Sequence, residues 1–330
     1  MKMDLPSVTL AVVLVCLFTG SLLAYPFNPN EFYSTAEKSG SEISVDMHAT
    51  TQSDYIVCAV EMDNVERELY YYYDDSYASP IEPEEQESAM NKLSSQLRYT
   101  GVSHKTLDAD GMKAIFLDIP NANKNSVVIF SGALPSNVYS YDGGTFPIND
   151  VKPWMEAGGI LYWYASEKFG YYSAPLATDF PGDWEMNQPL SASETVFGLT
   201  FQEDAEEGYA TIRSDISILL NLTQNVVWDS APLSAGVINL GYQHEDGRCS
   251  LAFREYGNGG VMILGGDWTP DISMAKIITS RVCEWDSLTP DHQSGTFKGT
   301  KEVGFTGTAN AVYVCYGTIV PRYAALFLLG

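Results

Sequence analysis

Strand-like and helix-like patterns of hydrophobic residues alternate along the first half of the chain. Compact apolar runs typical of buried strands occur at 68–73, 126–130 and 160–164. Between the first two runs lies a predicted helix whose apolar side carries Met90, Leu93 and Leu97 and whose first turn is acidic. Residues 149–157 form a second predicted helix. Alternation with short connections predicts an α/β fold, in which helices cover both faces of a parallel sheet.

The second half of the chain departs from this alternation. Residues 173–247 are rich in Pro, Gly, Asp and Ser and contain only short strand-like pieces. We interpret them as a β-rich insertion packed over one end of the sheet. A hairpin at 249–264 and an amphipathic helix at 270–285 follow. The last residues, 295–330, are strand-like again and predict C-terminal strands.

The N-terminal residues form an uncharged apolar stretch. No charged residue occurs from Leu5 to Ala24, and the small Ala24 precedes Tyr25. This pattern is typical of a signal peptide cut after Ala24, although about 20 apolar residues can also anchor a chain in a bilayer. We therefore expect a secreted or extracytoplasmic protein that touches a membrane only through an uncleaved N-terminal segment.

These patterns divide the chain into four segments. Residues 1–24 are a signal peptide or anchor, and residues 25–65 are a spacer with edge strands. Residues 66–286 are the main α/β domain with its insertion, and residues 287–330 are a C-terminal β extension. Two strands are predicted at 42–48, where apolar and polar residues alternate, and at 54–61. We expect them to form a hairpin at the edge of the main domain.

The charge of the chain excludes several classes of partner. The formal net charge is −24 and the pI about 4.3, which argues against nucleic acid and anionic lipid, because both require Lys and Arg. A glycan or another component of the cell envelope remains compatible. No cofactor is predicted. No metal is predicted either, because acidic clusters such as Asp74-Asp75 lack the spacing of a calcium-binding loop. We interpret these clusters as solvated surface residues.

Three stretches of sequence carry a resemblance to a known family. They are SVVIFSGALP at 126–135, WMEAGGILYWYAS at 154–166 and REYGNGGVMILGG at 254–266. Together they resemble the class I glutamine-amidotransferase-like domain, which implies a flavodoxin-like parallel sheet over residues 66–286. Enzymes of that family place a cysteine between small residues at a strand-to-helix elbow. Ser166 stands at the matching position here, so the resemblance implies a non-catalytic or uncharacterised branch without glutaminase activity.

A serine-hydrolase arrangement is the catalytic alternative. The candidates are Ser166 for the nucleophile, His244 for the base, and Asp267 or Asp246 for the acid. We favour structural roles for the first two, with Ser166 as a helix N-cap after a strand and His244 as a solvated turn residue.

Aromatic residues concentrate after the predicted strand ends, where parallel α/β sheets bind their ligands. An aromatic and acidic rim at that position would suit a glycan, through ring stacking and hydrogen bonds to carboxylates, although core packing also accounts for aromatic residues. The candidate ligand-binding residues are Ser131, Tyr139, Tyr141, Tyr171, Trp184 and Trp268.

The sequence thus favours an exported or surface-associated, non-catalytic binding or structural protein, with a glycan as the candidate ligand. An extracellular hydrolase that uses the crevice at Ser166 is one alternative, and a component of cell-envelope assembly is another.

Overall fold

The structure is a computed structural model that describes part of the chain and divides it into two units. The described residues are 32–62, 66–142, 145–164, 170–176, 184–185, 196–199, 208–210, 226–228, 237–240, 251–264, 272–280, 292–317 and 323–329. Residues 1–62 and 287–330 make one unit, and residues 63–286 make the other. The predicted signal peptide or anchor at 1–24 lies outside the described residues.

The described strands and helices are as follows in chain order. The strands are β1 (Phe32–Ser39), β2 (Glu42–Val60), β3 (Glu68–Tyr72), β4 (His104–Leu107), β5 (Asn125–Ile129), β6 (Ala133–Pro135), β7 (Tyr139–Asp142), β8 (Thr145–Asn149), β9 (Ile160–Tyr164), β10 (Tyr171–Ser173), β11 (Trp184–Glu185), β12 (Gly208–Ala210), β13 (Val226–Trp228), β14 (Val237–Asn239), β15 (Leu251–Tyr256), β16 (Gly259–Leu264), β17 (His292–Thr306), β18 (Ala311–Gly317) and β19 (Tyr323–Leu328). The helices are α1 (Pro83–Thr100), α2 (Ala109–Leu117), α3 (Val151–Glu156) and α4 (Ile272–Thr279), with a 3-10 helix at Ile119–Lys124.

The larger unit is built on a seven-stranded sheet. Five neighbouring strands, β4, β3, β5, β9 and β16, run parallel. The sheet continues beyond β16 into β15 and β14, which run antiparallel to their neighbours. Because the five parallel strands point the same way, their carboxyl ends lie at one edge of the sheet. The order of strands reverses between β3 and β5, which marks that position as the switch point where α/β sheets accommodate ligands.

Helices cover both faces of this sheet, which confirms the coarse prediction of an α/β architecture. On one face, α2 and α3 pack against the strands in a single buried cluster, with side chains that include Met112, Phe116, Trp154, Ile129 and Trp163. On the other face, the Tyr162 hydroxyl of β9 donates to the Ile278 carbonyl of α4 at 3.3 Å. None of the described helices combines the length and apolar character needed to cross a membrane.

A pair of glycines fixes the connection between α3 and β9. Gly158 has φ 118°, a backbone conformation that favours glycine. Gly159 lies against the buried indole of Trp154, and a Cβ atom at this position would overlap the ring. The Gly-Gly pair is therefore explained by local packing between one helix and the strand that follows it.

The smaller unit is an antiparallel sheet centred on the long strand β2. The first half of β2 pairs with β1, its second half pairs with β18, and β17 pairs along both halves. β19 extends the sheet beyond β18. Alternate residues of β2 point into a common core with β17 and β18, and they are Ile43, Val45, Met47, Ala49, Tyr55, Val57 and Ala59. The sheet curls around this core.

The strands of the smaller unit differ from two predictions for the N-terminal part of the chain. The strands predicted at 42–48 and 54–61 form one continuous strand, and it belongs to this separate sheet rather than to the edge of the main domain. Part of the predicted spacer, Phe32–Ser39, is also a strand. Its sequence is mostly polar, so the pattern of apolar residues could not reveal it. It forms because β2 offers it eight paired positions.

The predicted insertion at 173–247 is described only at short strands. β12 pairs with β13, and β10 pairs with β11 and β6. β14 joins the main sheet beside β15 rather than forming a separate layer, because its neighbour presents an edge with backbone groups that need hydrogen-bond partners.

The contact between Gly159 and Trp154 yields a prediction about stability. Gly159→Ala should lower the free energy of unfolding by roughly 1–3 kcal/mol, because the new methyl group displaces a buried ring. Chemical denaturation measures this change. Gly307→Ala is the control, because a Cβ at Gly307 meets no atom of the described residues within 4 Å. Equal effects of the two substitutions would contradict the packing described here.

Candidate functional site

Acidic and polar side chains meet at the carboxyl ends of β3 and β4. Asp74 and Tyr77 follow β3, Asp108 and Asp110 follow β4, and Asn137 follows β6. We call these five residues the acidic edge. Hydrogen bonds hold the loops together, because the Ala109 amide donates to Asp74 Oδ2 at 2.9 Å and Asn137 Nδ2 donates to the Ala109 carbonyl at 3.0 Å.

Asp74 is the residue that joins the two loops. Its Oδ1 accepts hydrogen bonds from the Ser76 amide at 3.0 Å and the Ser76 hydroxyl at 2.5 Å, while Oδ2 accepts from Ala109. Partial burial alone would raise the pKa of Asp74, but these hydrogen bonds outweigh it and lower the pKa below its ordinary value. Asp74 therefore stays ionised and holds the backbone in place.

Asp108 and Asp110 both belong to the start of α2 but have different surroundings. Asp108 Oδ1 accepts a hydrogen bond from the Gly111 amide at 2.7 Å and so caps the helix. Asp110 lies in the first helical turn, is exposed, and has Asn137 Nδ2 at 3.4 Å from its Oδ1. Both aspartates are exposed, and Asp110 makes the longer hydrogen bond of the two.

Tyr77 places an aromatic ring and a hydroxyl beside these carboxylates. It is partly buried, and burial raises its pKa, as do the negative charges of Asp74 and Asp110. The hydroxyl therefore remains protonated at neutral pH and can donate a hydrogen bond. The acidic edge thus combines carboxylate acceptors with a phenolic donor, carried on a partly buried ring that packs against the core.

At the switch point between β3 and β5, the loops that follow the two strands are joined by hydrogen bonds. The Ser79 hydroxyl donates to the Ser131 carbonyl at 2.9 Å, and the buried Gln86 side chain donates to Ser79 Oγ at 2.9 Å. Residues 170–176 contact the loop after β3, since the Ala78 amide donates to the Ala174 carbonyl at 3.1 Å. Among the described residues, hydrogen bonds therefore join the loops on the two sides of the switch point.

Two of the predicted ligand-binding residues are interior residues, which corrects the prediction that they line a rim. Ser131 is buried, and its hydroxyl donates to the Ala133 carbonyl at 2.7 Å within its own turn. Tyr139 is fully buried, and its ring packs edge-on against Tyr172 and Phe197. Both side chains are used in packing the loops that follow β5.

The remaining predicted site residues are not tested by the described side chains. Tyr141, Tyr171 and Trp184 are placed as backbone positions of β7, β10 and β11. Four others lie outside the described residues: Ser166, His244, Asp267 and Trp268. The serine-hydrolase arrangement therefore stays a prediction.

Sequence patterns missed the acidic edge, although one signal was available. Asp74 and Asp108 each follow a predicted strand, and parallel strands bring their carboxyl ends together. The sequence analysis assigns Asp74 to the solvated surface, because no residue pattern shows its hydrogen bonds to Ser76 and Ala109. Within the described part of the chain, no three His, Cys, Asp or Glu side chains are placed to hold a metal ion.

The structure also brings together a serine and a histidine away from this edge. Ser94 Oγ of α1 lies 3.1 Å from His104 Nε2 of β4, and the imidazole stacks on the buried Tyr71 ring at 4.2 Å between centroids. The Ser94 hydroxyl donates to the Met90 carbonyl at 2.6 Å. The hydroxyl proton of Ser94 is thus used in a hydrogen bond to the helix backbone. The contact between Ser94 and His104 packs α1 against the sheet.

Comparisons with known proteins find distant similarity in solved structures alone. No protein-family model and no curated protein matches the sequence. The chain is similar to an exo-β-1,4-mannosidase from Opitutaceae bacterium strain TAV5, with 14% identity, TM-score 0.36, and coverage of 68% of this chain and 35% of that one. A β-galactosidase from Bacillus circulans sp. alkalophilus shows 13% identity, TM-score 0.39, and coverage of 80% and 40%. A cold-adapted β-galactosidase from Rahnella sp. R3 shows 11% identity, TM-score 0.36, and coverage of 73% and 41%.

These comparisons correct the family predicted from the sequence. The similar solved structures are glycoside hydrolases, and no family model supports a class I glutamine-amidotransferase-like domain. That family prediction was wrong, and the flavodoxin-like description of the sheet is not confirmed by the comparisons. One of the motifs behind it has a local explanation, because Gly158 has a positive φ and lies against Asn123, while Gly159 lies against Trp154. The chain spans less than half the length of each of these glycosidases, so their activities are not transferred to it.

The environment of His104 generates a prediction about pH. Burial lowers the pKa of His104 below its ordinary value of 6.5, so the unfolded chain takes up a proton at a higher pH than the folded protein does. The free energy of unfolding should therefore fall as the pH drops below about 6.5. Urea denaturation at pH 7.5 and pH 5.5 measures the difference, and His104→Gln should reduce it. A pH dependence that is unchanged in His104→Gln would contradict this assignment.

Proposed function

We propose that the larger unit binds a neutral glycan at the acidic edge. The observation that carries the proposal is that Asp74 joins the two loops at the carboxyl ends of β3 and β4. Its carbonyl accepts from the Tyr77 amide at 3.3 Å, and its Oδ2 accepts from the Ala109 amide, next to exposed Asp110, at 2.9 Å. Sugars present apolar C–H faces and hydroxyl groups, which an aromatic ring and ionised carboxylates can engage together. Asp74 fixes the loops without needing the ligand, so the surface is organised before binding.

The charge of the chain restricts the ligand to an uncharged one. The net charge is −24, and three of the five residues of the acidic edge are aspartates. Sulfated or uronic-acid polymers would be repelled by these carboxylates. Neutral oligosaccharides are not repelled, and their hydroxyls can donate hydrogen bonds to exposed Asp110.

Hydrolysis of glycosides at the same edge is the second candidate function. Glycoside hydrolysis uses a pair of carboxyl groups, one of which must be protonated to act as general acid. Asp74 does not suit that role, because hydrogen bonds lower its pKa. Asp108 and Asp110 are both exposed and close in the chain, so they would form the pair. A hydrolase that uses Ser166 with His244 and Asp267 is a separate version of this candidate.

The place of action follows from the N-terminal sequence. The uncharged stretch from Leu5 to Ala24 supports export, so we propose that the protein meets its glycan outside the cytoplasm, as a free or envelope-associated ligand. If the stretch is not cleaved, it would hold the protein at the membrane surface. A role in envelope assembly would follow from the same binding if the glycan belongs to the envelope.

Two aspartates at opposite ends of α2 provide a matched test. Asp110→Asn removes a carboxylate from the acidic edge, whereas Asp118→Asn removes the same charge at the far end of the helix. Isothermal titration with β-manno- and β-galacto-oligosaccharides should show about tenfold weaker binding for Asp110→Asn, because a charge-assisted hydrogen bond is lost. Binding by Asp118→Asn should equal that of the wild type. These sugars are chosen because the similar solved structures are a mannosidase and β-galactosidases.

The same titrations separate binding from hydrolysis. Chromatography of the sugar after incubation should show it unchanged if the protein only binds it. Release of shorter sugars by the wild type but not by Asp110→Asn would establish the hydrolase instead. Equal binding by the two variants, or binding by neither the wild type nor any variant, would overturn the proposal.

A further inference from the structure

The outer face of the smaller unit carries an ordered row of side chains across three strands. Tyr33 of β1 is paired with His48 of β2, which is paired with Thr300 of β17. The next row, two residues along each strand, holds Thr35, Asp46 and Glu302. Residues two apart on a strand share a face. Both rows therefore lie on the side of the sheet opposite its core, which contains Val45 and Met47.

Tyr33 is an exposed aromatic residue held in a fixed orientation. Its side chain is 58% exposed, yet its ring stacks on the His48 imidazole with 4.9 Å between centroids and 17° between planes. His48 Nδ1 in turn lies 3.5 Å from Thr300 Oγ1. An exposed tyrosine on a strand would ordinarily sample several rotamers. Stacking on a neighbour reduces that freedom and leaves the ring open to a ligand.

Hydrogen-bonding groups stand beside the ring in the next row. Glu302 Oε1 accepts a hydrogen bond from the Ser44 hydroxyl at 3.1 Å, which orients the carboxylate. Asp46 is exposed and lies between Thr35 and Glu302 in the register. A flat ring bordered by two carboxylates and hydroxyl groups thus lies on a surface built from three paired strands.

We propose that this surface, the Tyr33 platform, binds a pyranose unit of a neutral glycan independently of the acidic edge. The apolar face of the sugar stacks on the Tyr33 ring, and its hydroxyls donate to Asp46 and Glu302. The platform consists of Tyr33, Thr35, Asp46, His48, Thr300 and Glu302. It lies in the smaller unit, whereas the acidic edge lies in the larger one.

Charge and shape select this ligand over other classes. Asp46 and Glu302 repel polyanions, so nucleic acid and acidic polysaccharides do not fit. A single exposed ring with polar neighbours offers too little apolar surface for a protein or lipid partner, whose contacts require larger apolar patches. A sugar ring is close in size to one aromatic ring and needs the hydrogen-bond partners that surround it here.

The test uses the full chain and a panel of hexasaccharides. Neutral manno-, galacto- and gluco-hexaoses are the probes, and a hyaluronan hexasaccharide is the anionic comparison. Tyr33→Ala should weaken binding at one of two sites by about tenfold, the size expected for loss of one aromatic contact. Tyr33→Phe is the matched control and should bind like the wild type, because the ring is kept. His48→Ala should have a smaller effect in the same direction, because the stack that orients the ring is lost.

The outcomes distinguish this proposal from the one for the acidic edge. Asp110→Asn should leave the Tyr33-dependent site intact, and Tyr33→Ala should leave the Asp110-dependent site intact. If Asp110→Asn has no effect while Tyr33→Ala does, the function proposed for the larger unit fails and the Tyr33 platform stands. Wild-type affinity and stoichiometry in Tyr33→Ala would overturn the platform, provided its unfolding midpoint shows that the variant is folded. Tighter binding of hyaluronan than of the neutral probes would overturn it as well.

Discussion

The carboxylate of Asp74 joins the end of β3 to the start of α2, and the proposed site of the larger unit depends on that connection. Its two oxygens accept hydrogen bonds from the loop after β3 and from the first residue of α2. Without it, Tyr77 and Asp110 would belong to two separate loops. Because Asp74 is satisfied within the protein, the acidic edge is arranged before any ligand arrives, and the cost of ordering it is met during folding.

A second constraint is the length of β2. A strand of 19 residues reaches far enough to pair with β1 at one end and β18 at the other. Strands from the N-terminal and the C-terminal parts of the chain therefore pair with β2 in one sheet. Residues 63–286, which lie between those parts in the sequence, form their own unit. The arrangement places the Tyr33 platform on strands whose register is set by many paired residues, so its side chains hold fixed spacings.

The sequence predicted the elements of the larger unit well, because each one carries its own signal. The helix α1 has acidic residues in its first turn and ends at Gly101 with φ 75°, as its pattern predicts. The runs at 126–130 and 160–164 are buried strands because their residues are apolar on both faces. These signals depend on neighbouring residues alone, so they predict the elements without knowledge of the fold.

Predictions that depended on distant contacts did worse. The polar segment Phe32–Ser39 is a strand because of its pairing with β2, and no pattern within it shows this. Ser131 and Tyr139 were correctly placed after a strand, but the loops fold over them and bury both side chains. The acidic edge was missed because its members come from separate loops. The glycine motifs misled the family prediction, since they report a tight contact with Trp154 that unrelated folds can share.

The central claim is that a neutral glycan contacts the acidic edge, and mapping the bound ligand by NMR tests it most directly. Uniformly labelled protein is titrated with a β-manno-oligosaccharide in a Tyr33→Ala background, which removes the second surface. The signals of Tyr77, Asp110 and Asn137 should move together with a single binding curve, while those of Asp118 at the far end of α2 should stay in place. Binding that moves other signals and leaves Tyr77 and Asp110 unchanged would contradict it.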